Sequence, residues 1–154
     1  MKTTCIPDKS LPFQNLKVKT SWGTITLKLK NDKVTGCSLP TLKNTPRKPF
    51  QIDDFQTLEN LLKKFPNRGK PQGTEFQQAV WKEMQKIPRG QTRTYGEIAA
   101  AIGHPNAVRA VGTACGANPL PLFIPCHRVV AKNGLGGFGS GLPWKEMLLK
   151  LEKA

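Results

Sequence analysis

The chain has 154 residues, with 24 Lys and Arg against 10 Asp and Glu and a formal charge of +14. That length excludes a large multidomain architecture, and 38% hydrophobic with 22% charged residues excludes a chain disordered over most of its length. The positive excess therefore belongs to a folded surface that attracts polyanions, with nucleic acid the leading partner and an anionic membrane the second.

Met1 to Asp8 carries one cation with no apolar stretch behind it, so it does not read as a secretory signal. Residues 13–39 alternate as strands do, with Leu16, Val18 and Thr20, then Ile25, Leu27 and Leu29, then Val34. This predicts a short antiparallel meander turning tightly at Ser21-Trp22-Gly23 and Asn31-Asp32. Leu39 to Pro49 is rich in proline and cation and reads as a connection. Between Asp53 and Phe65 the apolar residues Phe55, Leu58, Leu61, Leu62 and Phe65 fall at helical spacing. Acids in the first turn, with Lys63 and Lys64 in the last, suit the helix dipole. A second connection, Pro66 to Gly73, puts a domain boundary near residue 72.

Thr74 with Gln77 forms a capping box for a helix striped by Phe76, Val80, Trp81 and Met84, which stops before Pro88. After the turn Pro88-Arg89-Gly90, Thr94 with Glu97 forms a second box for a helix through Ile98 and Ala101 to Gly103. Beyond Gly103-His104-Pro105, Asn106 is expected to cap a third helix through Val108, Val111 and Ala114 to Gly116. The two short helices form a helix-turn-helix pattern. The expected fold class is α/β (α+β). A small N-terminal domain with an antiparallel sheet and a helix, 1–72 with its linker, precedes a mainly helical domain, 73–154, that carries the helix-turn-helix. No apolar run approaches the roughly 20 residues of a membrane span. The expectation is a soluble, cytoplasmic protein, nucleoid-associated in a prokaryote, in which Cys5, Cys37, Cys115 and Cys126 are free thiols.

The presumed recognition helix, Asn106 to Cys115, is nearly all small residues plus one Arg and lacks the long polar side chains that make bidentate base contacts. Small residues let a helix backbone lie close to a narrow surface. Recognition of shape and phosphate follows, in the minor groove and with little sequence preference. Arg109 is the one long side chain able to penetrate a duplex; the alternative is a surface Arg in a salt bridge.

In Asn118-Pro-Leu-Pro-Leu-Phe-Ile-Pro-Cys-His-Arg-Val-Val130 an apolar, proline-flanked segment runs into a Cys-His pair and then a strand-like Val129-Val130. A thiol is a useful nucleophile as thiolate, and a nearby imidazole can take its proton. Neighbours in a regular strand point to opposite faces, so Cys126 and His127 communicate only through an irregular backbone, which Pro125 favours, or a bridging water. An acid must hold the imidazole, and beyond residue 88 the candidates are Glu97, Glu146 and Glu152. A buried structural thiol is the alternative for Cys126 and the reading for Cys5, Cys37 and Cys115. His104, in a turn, is expected to face solvent. Neither Cys-x-x-Cys nor paired-His spacing occurs, so no metal is expected.

Ile124-Pro-Cys-His-Arg-Val-Val130, Pro88-Arg-Gly-Gln-Thr-Arg-Thr-Tyr-Gly-Glu-Ile-Ala99 and Arg109-Ala-Val-Gly112 together resemble the O6-alkylguanine-DNA alkyltransferase family, the methylated-DNA-protein-cysteine S-methyltransferases. The resemblance spans roughly residues 73–152; the meander and helix before it resemble the family's variable N-terminal domain more loosely. It implies a monomeric, cofactor-free repair protein that flips O6-alkylguanine, and O4-alkylthymine, out of double-stranded DNA and accepts the alkyl group irreversibly in a single turnover. By the same resemblance Cys126 would be the acceptor, His127 would activate it through a water and Glu152 would orient the imidazole. Tyr95 would support flipping and protonate the released guanine, and Arg109 would fill the gap in the base stack. Thr94, Ala107, Ala110 and Gly112 would join Tyr95 and Arg109 against DNA. Asn118 would brace the loop before the cysteine, with Pro121, Arg128, Phe138, Gly139, Ser140 and Lys145 forming and supporting the substrate pocket.

The chain departs from the family in two places. Phe138 stands where many relatives have Tyr, losing a hydroxyl toward the base, and no His precedes His104 to complete an N-terminal zinc site with Cys5 and Cys37. Two other readings stand beside the enzyme: a non-enzymatic lesion-binding protein, against which Cys126 argues, and a DNA-binding regulator with a sensor cysteine, against which the bland recognition helix argues. Residues 1–88 hold +9 of the net charge and 89–154 hold +5, so most of the excess lies outside the half that carries the Cys-His pair.

Overall fold

A computed structural model describes residues 12–31, 33–65 and 71–153. Cys5, Asp32 of the second tight turn and residues 66–70 of the second connection lie outside the described residues. The alternating N-terminal segment forms β1 (Phe13–Thr20), β2 (Gly23–Lys30) and β3 (Lys33–Ser38), an antiparallel sheet in the order β1-β2-β3. Leu16 pairs with Leu27 and Val18 with Ile25, so one face is buried and the other faces solvent. Opposite Lys28 and Leu29 the register slips: Leu29 pairs with Val34 and Lys28 with Gly36, leaving Thr35 as the inserted residue of a bulge.

The first helix, α1 (Ile52–Lys64), begins one residue before the expected start, with Gln51 at its N-cap position. The Asp54 carboxylate accepts from Gln51 N at 2.8 Å and from Ser21 N at 3.0 Å and is fully buried. This acid therefore ties α1 to the β1–β2 turn as well as meeting the helix dipole.

Both expected capping boxes form. In α2 (Glu75–Met84) Thr74 Oγ1 accepts from Gln77 N at 3.1 Å; in α3 (Tyr95–Ala101) Thr94 Oγ1 accepts from Glu97 N at 3.1 Å. The expected Asn106 cap does not. α4 (Val108–Gly116) starts beyond Ala107, whose N–H closes the preceding turn onto His104 O at 2.9 Å, so Asn106 lies inside that turn. In the C-terminal half β4 (Arg93–Thr94) runs parallel to β5 (Val129–Val130), and α5 (Leu142–Lys153) follows a glycine-rich loop. The β4–β5 bridge brings the start of α3 beside the Cys-His segment.

Residues 39–49, expected to be a connection, form a strap across the molecule. Leu42 N donates to Ser140 O at 2.7 Å, Trp144 Nε1 to Pro40 O at 2.8 Å and Trp22 Nε1 to Lys48 O at 2.9 Å. Beneath it Trp22, Phe50 and Trp144 meet at centroid distances of 5.2–5.7 Å, each pair edge to face. The buried apolar residues, from Leu16 to Leu148, form one continuous core. Among the described residues no helix is long and apolar enough to cross a membrane.

Candidate active site

The loop into the cysteine is held by one amide. Asn118 accepts from Leu120 N at 2.9 Å and donates Nδ2 to Ile124 O at 2.9 Å, while Leu122 takes a left-handed φ of 77°. Past Pro125 the chain makes a single 3-10 turn, Cys126–Arg128, with Arg128 N donating to Pro125 O at 3.0 Å. In such a turn neighbouring side chains diverge by about 120° rather than facing opposite ways. Cys126 and His127 are both buried, at 8% and 3% exposure.

Of the three acids, Glu152 reaches the imidazole: His127 Nε2 lies 2.9 Å from Glu152 Oε1. Glu97 caps α3, and Glu146 lines a separate apolar cleft beside Trp22. Arg128 Nε donates to both Glu152 oxygens at 3.0 Å, Nη2 also bonds Oε2, and Nη1 donates to Ile87 O at 2.8 Å. Burial pushes the Glu152 carboxyl up, but the hydrogen bonds and charges of His127 and Arg128 outweigh it and hold it down at about 2. An ionised carboxylate only accepts, so His127 Nε2 carries a proton, and in the neutral ring Nδ1 presents its lone pair. Nδ1 is buried and has no hydrogen-bond partner among the described residues.

Cys126 opens into a cavity of about 540 Å³. Tyr95 of α3 and Gly112, Cys115 and Gly116 of α4 form one wall, Asn118 and Pro121 a second, and Gly137, Phe138, Gly139 and Ser140 the third. Burial raises the Cys126 thiol above its ordinary value, although an Asn118 hydrogen bond and the Lys145 charge pull it back. The resting sulfur is a protonated thiol at neutral pH and needs a base. Burial likewise raises the Tyr95 phenol. Lys145, fully buried, donates Nζ to Val129 O at 2.6 Å and Gly137 O at 3.1 Å, joining β5 to the glycine-rich loop; burial lowers its ammonium. Two glycines in that loop are sterically required. At Gly136, φ +75°, an added Cβ would meet the Tyr95 ring at 2.7 Å; at Gly141, φ +111°, it would meet Leu42 O at 1.8 Å.

The cavity thus gathers Tyr95, Gly112, Asn118, Pro121, Cys126, Phe138, Gly139 and Ser140 from the sequence-derived set. His127, Glu152, Arg128 and Lys145 stand behind it as braces. The Thr94 hydroxyl is committed to its helix cap. Ala107 sits at the N-cap of α4, and Arg109 and Ala110 are exposed on that helix. Arg109 makes no ion pair among the described residues. Sequence reasoning missed Cys115 and Gly116, whereas Gly137 lies in the glycine-rich stretch 134–141 that resembles the family's pocket loop. Gly112, Cys115 and Gly116 lie at i, i+3 and i+4 on one face of α4, a spacing that could have found both. Cys115 packs its sulfur 3.4 Å from Met84 Sδ, and burial pushes its thiol and that of Cys37 up to about 12. His104 is exposed, its ring 5.9 Å from Phe76.

The family described as 6-O-methylguanine DNA methyltransferase, DNA binding domain, matches residues 75–154. A methylated-DNA–protein-cysteine methyltransferase of Methanosarcina mazei is 57% identical over 93 residues, 60% of this chain and 59% of the relative. The inducible Bacillus subtilis protein of the same name is 48% identical over 106 residues, 68% of this chain and 59% of the relative. The chain spans about three fifths of the length of the curated relatives it matches. Among solved structures, Mycobacterium tuberculosis OGT in complex with DNA superposes with a TM-score of 0.73 at 36% identity, covering 89% of this chain and 91% of that one. The Pyrococcus kodakaraensis O6-methylguanine-DNA methyltransferase shares the fold at a TM-score of 0.66 and 22% identity, covering 99% and 98%. The chain belongs to the 6-O-methylguanine DNA methyltransferase family.

Proposed function

We propose that this protein repairs DNA by flipping O6-alkylguanine, and O4-alkylthymine, from the duplex into the cavity and transferring the alkyl group to its own Cys126. The observation that carries the reading is the buried Cys126 thiol at the wall of a cavity of about 540 Å³, backed by a His127–Glu152 pair whose Nδ1 has no hydrogen-bond partner among the described residues. His127 Nδ1 takes the thiol proton through a bridging water, and the Glu152 charge stabilises the imidazolium. The sulfur attacks the alkyl carbon; an S–C bond forms, the C–O6 bond breaks and its electron pair stays with the base. Tyr95 donates its phenolic proton to that base as it leaves and regains one through solvent from the His127 imidazolium, so the thiol proton ends on the released base. The thioether is not hydrolysed, so each molecule acts once, and the balance needs no cofactor. The exposed small residues of α4 let its backbone approach a groove, and Arg109 occupies the gap left in the stack. Residues 73–153 carry the chemistry, the described residues before them brace it, and the protein acts as an intracellular monomer.

The test is incubation with an oligonucleotide containing O6-methylguanine, read by intact mass. A gain of one methyl on Cys126, absent in Cys126→Ala, is expected. No gain, with binding to the lesion retained, would show a lesion-binding protein instead. Arg109→Ala should slow repair in duplex far more than reaction with free O6-methylguanine; equal loss on both would refute the finger role.

A further inference from the structure

We infer that the solvent face of the β1-β2-β3 sheet is a second binding surface for the phosphate backbone of duplex DNA, separate from α4. The inference rests on the DNA-repair reading above. Residues 13–38 hold five Lys and one acid, Asp32. All five, Lys17, Lys19, Lys28, Lys30 and Lys33, are exposed at alternate positions of the three strands, while Leu16, Val18, Ile25, Leu27 and Val34 occupy the buried face. None makes an ion pair among the described residues.

Such a face works against the fold. Lys30 and Lys33 are direct cross-strand partners, an arrangement that destabilises a sheet, and Thr24 and Thr26 rather than acids stand opposite Lys19 and Lys17. A sheet needing only solubility would alternate the two signs. Lysines two residues apart on a strand are about 6.8 Å apart, and each strand of a duplex presents one phosphate charge per about 3.4 Å of helix axis, so the lysine spacing is on the scale of a phosphate backbone. The threonine hydroxyls add neutral phosphate donors. The aromatic and cationic elements are organised rather than scattered: Lys30 Nζ sits 5.6 Å from the centroid of Phe13, which is 67% exposed, and the Lys28 stem passes over Gly36.

The face also leads toward the site. A groove of about 580 Å³ runs from Phe13, Lys30, Lys33 and Thr35 to Gln72 and Pro119. Pro119 follows the cavity residue Asn118 and accepts from Cys37 N at 2.8 Å. Phosphates held on the sheet therefore lie next to the loop that leads to Cys126, and the surface adds affinity without reading sequence, as a search for rare lesions requires.

The test is amine-reactive footprinting of the full chain with and without an undamaged 20-base-pair duplex, beside the variant Lys17→Gln/Lys19→Gln/Lys28→Gln/Lys30→Gln. Protection of the sheet lysines is expected, with a log–log salt slope for duplex binding lower by about 3 to 4 in the variant. Methyl transfer from free O6-methylguanine to Cys126 should be unchanged. Protection confined to residues outside the sheet, or protection by anionic vesicles and not by DNA, would overturn the inference, as would an unaltered slope. Footprinting reads the folded wild type, so a poorly folding variant does not rescue the idea. Absence of methyl transfer in wild type would instead refute the repair reading and leave the footprint interpretable.

Discussion

At Glu152 one carboxylate serves two neighbours. It fixes the His127 tautomer and neutralises Arg128, whose third nitrogen holds Ile87 O, so α5, the 3-10 turn and the end of the α2 segment meet at this residue. Its folded-state value near 2 lies below the ordinary 4.5, so its contribution is present in full above about pH 4.5 and is lost as pH falls toward 2. That contribution is on the order of 3 kcal/mol. Urea midpoints measured from pH 7 to 2 should fall through this window in wild type and stay flatter in Glu152→Gln. The same variant should transfer methyl about 100-fold slower or worse, because a neutral amide supports the imidazolium less; an unchanged rate would remove Glu152 from the mechanism.

The cavity walls are set by the start of α3 and the loop before α5 as well as by the middle and end of α4. Tyr95 is the first residue of α3, placed by the Thr94–Glu97 box and the β4–β5 bridge. Thr94→Ala should cost about 1 kcal/mol, the usual worth of such a cap, and loosen Tyr95. The glycine-rich loop is held by Lys145 from below and by Leu42 from outside. Gly141→Ala puts a methyl into Leu42 O and adds strain at a left-handed φ, so it should lower the thermal midpoint and slow transfer together. Gly134→Ala, with nothing within 4 Å of its added Cβ and no left-handed φ, is the control expected to leave both near wild type.

Across the whole molecule the strap 39–49 and the Trp22, Phe50 and Trp144 cluster bind the sheet to α5, and buried residues from both halves share one core. Chemical unfolding should therefore be a single transition, with circular dichroism and loss of methyl transfer coinciding. Trp144→Ala should destabilise by about 3–5 kcal/mol, since it removes a fully buried indole and its bond to Pro40 O. Two separate transitions would mean that the boundary near residue 72 divides folding units as well as roles.

Local patterns were enough for the meander, the helices and both capping boxes, because alternation, helical spacing and cap chemistry act within a few residues. The Cys-His pair was legible for the same reason. Asn106 was misread because its turn is closed by a backbone bond that no side-chain pattern signals. Which acid meets His127, why the proline-rich connection is a strap, and that Cys115 and Gly116 line the cavity were all decided by tertiary structure. Residues 25 apart, such as His127 and Glu152, or nearly 100 apart, such as Leu42 and Ser140, meet only through packing of the whole core. Charge shows the same division: the sequence alone sets its sign and amount, whereas strand register gathers five lysines on one face.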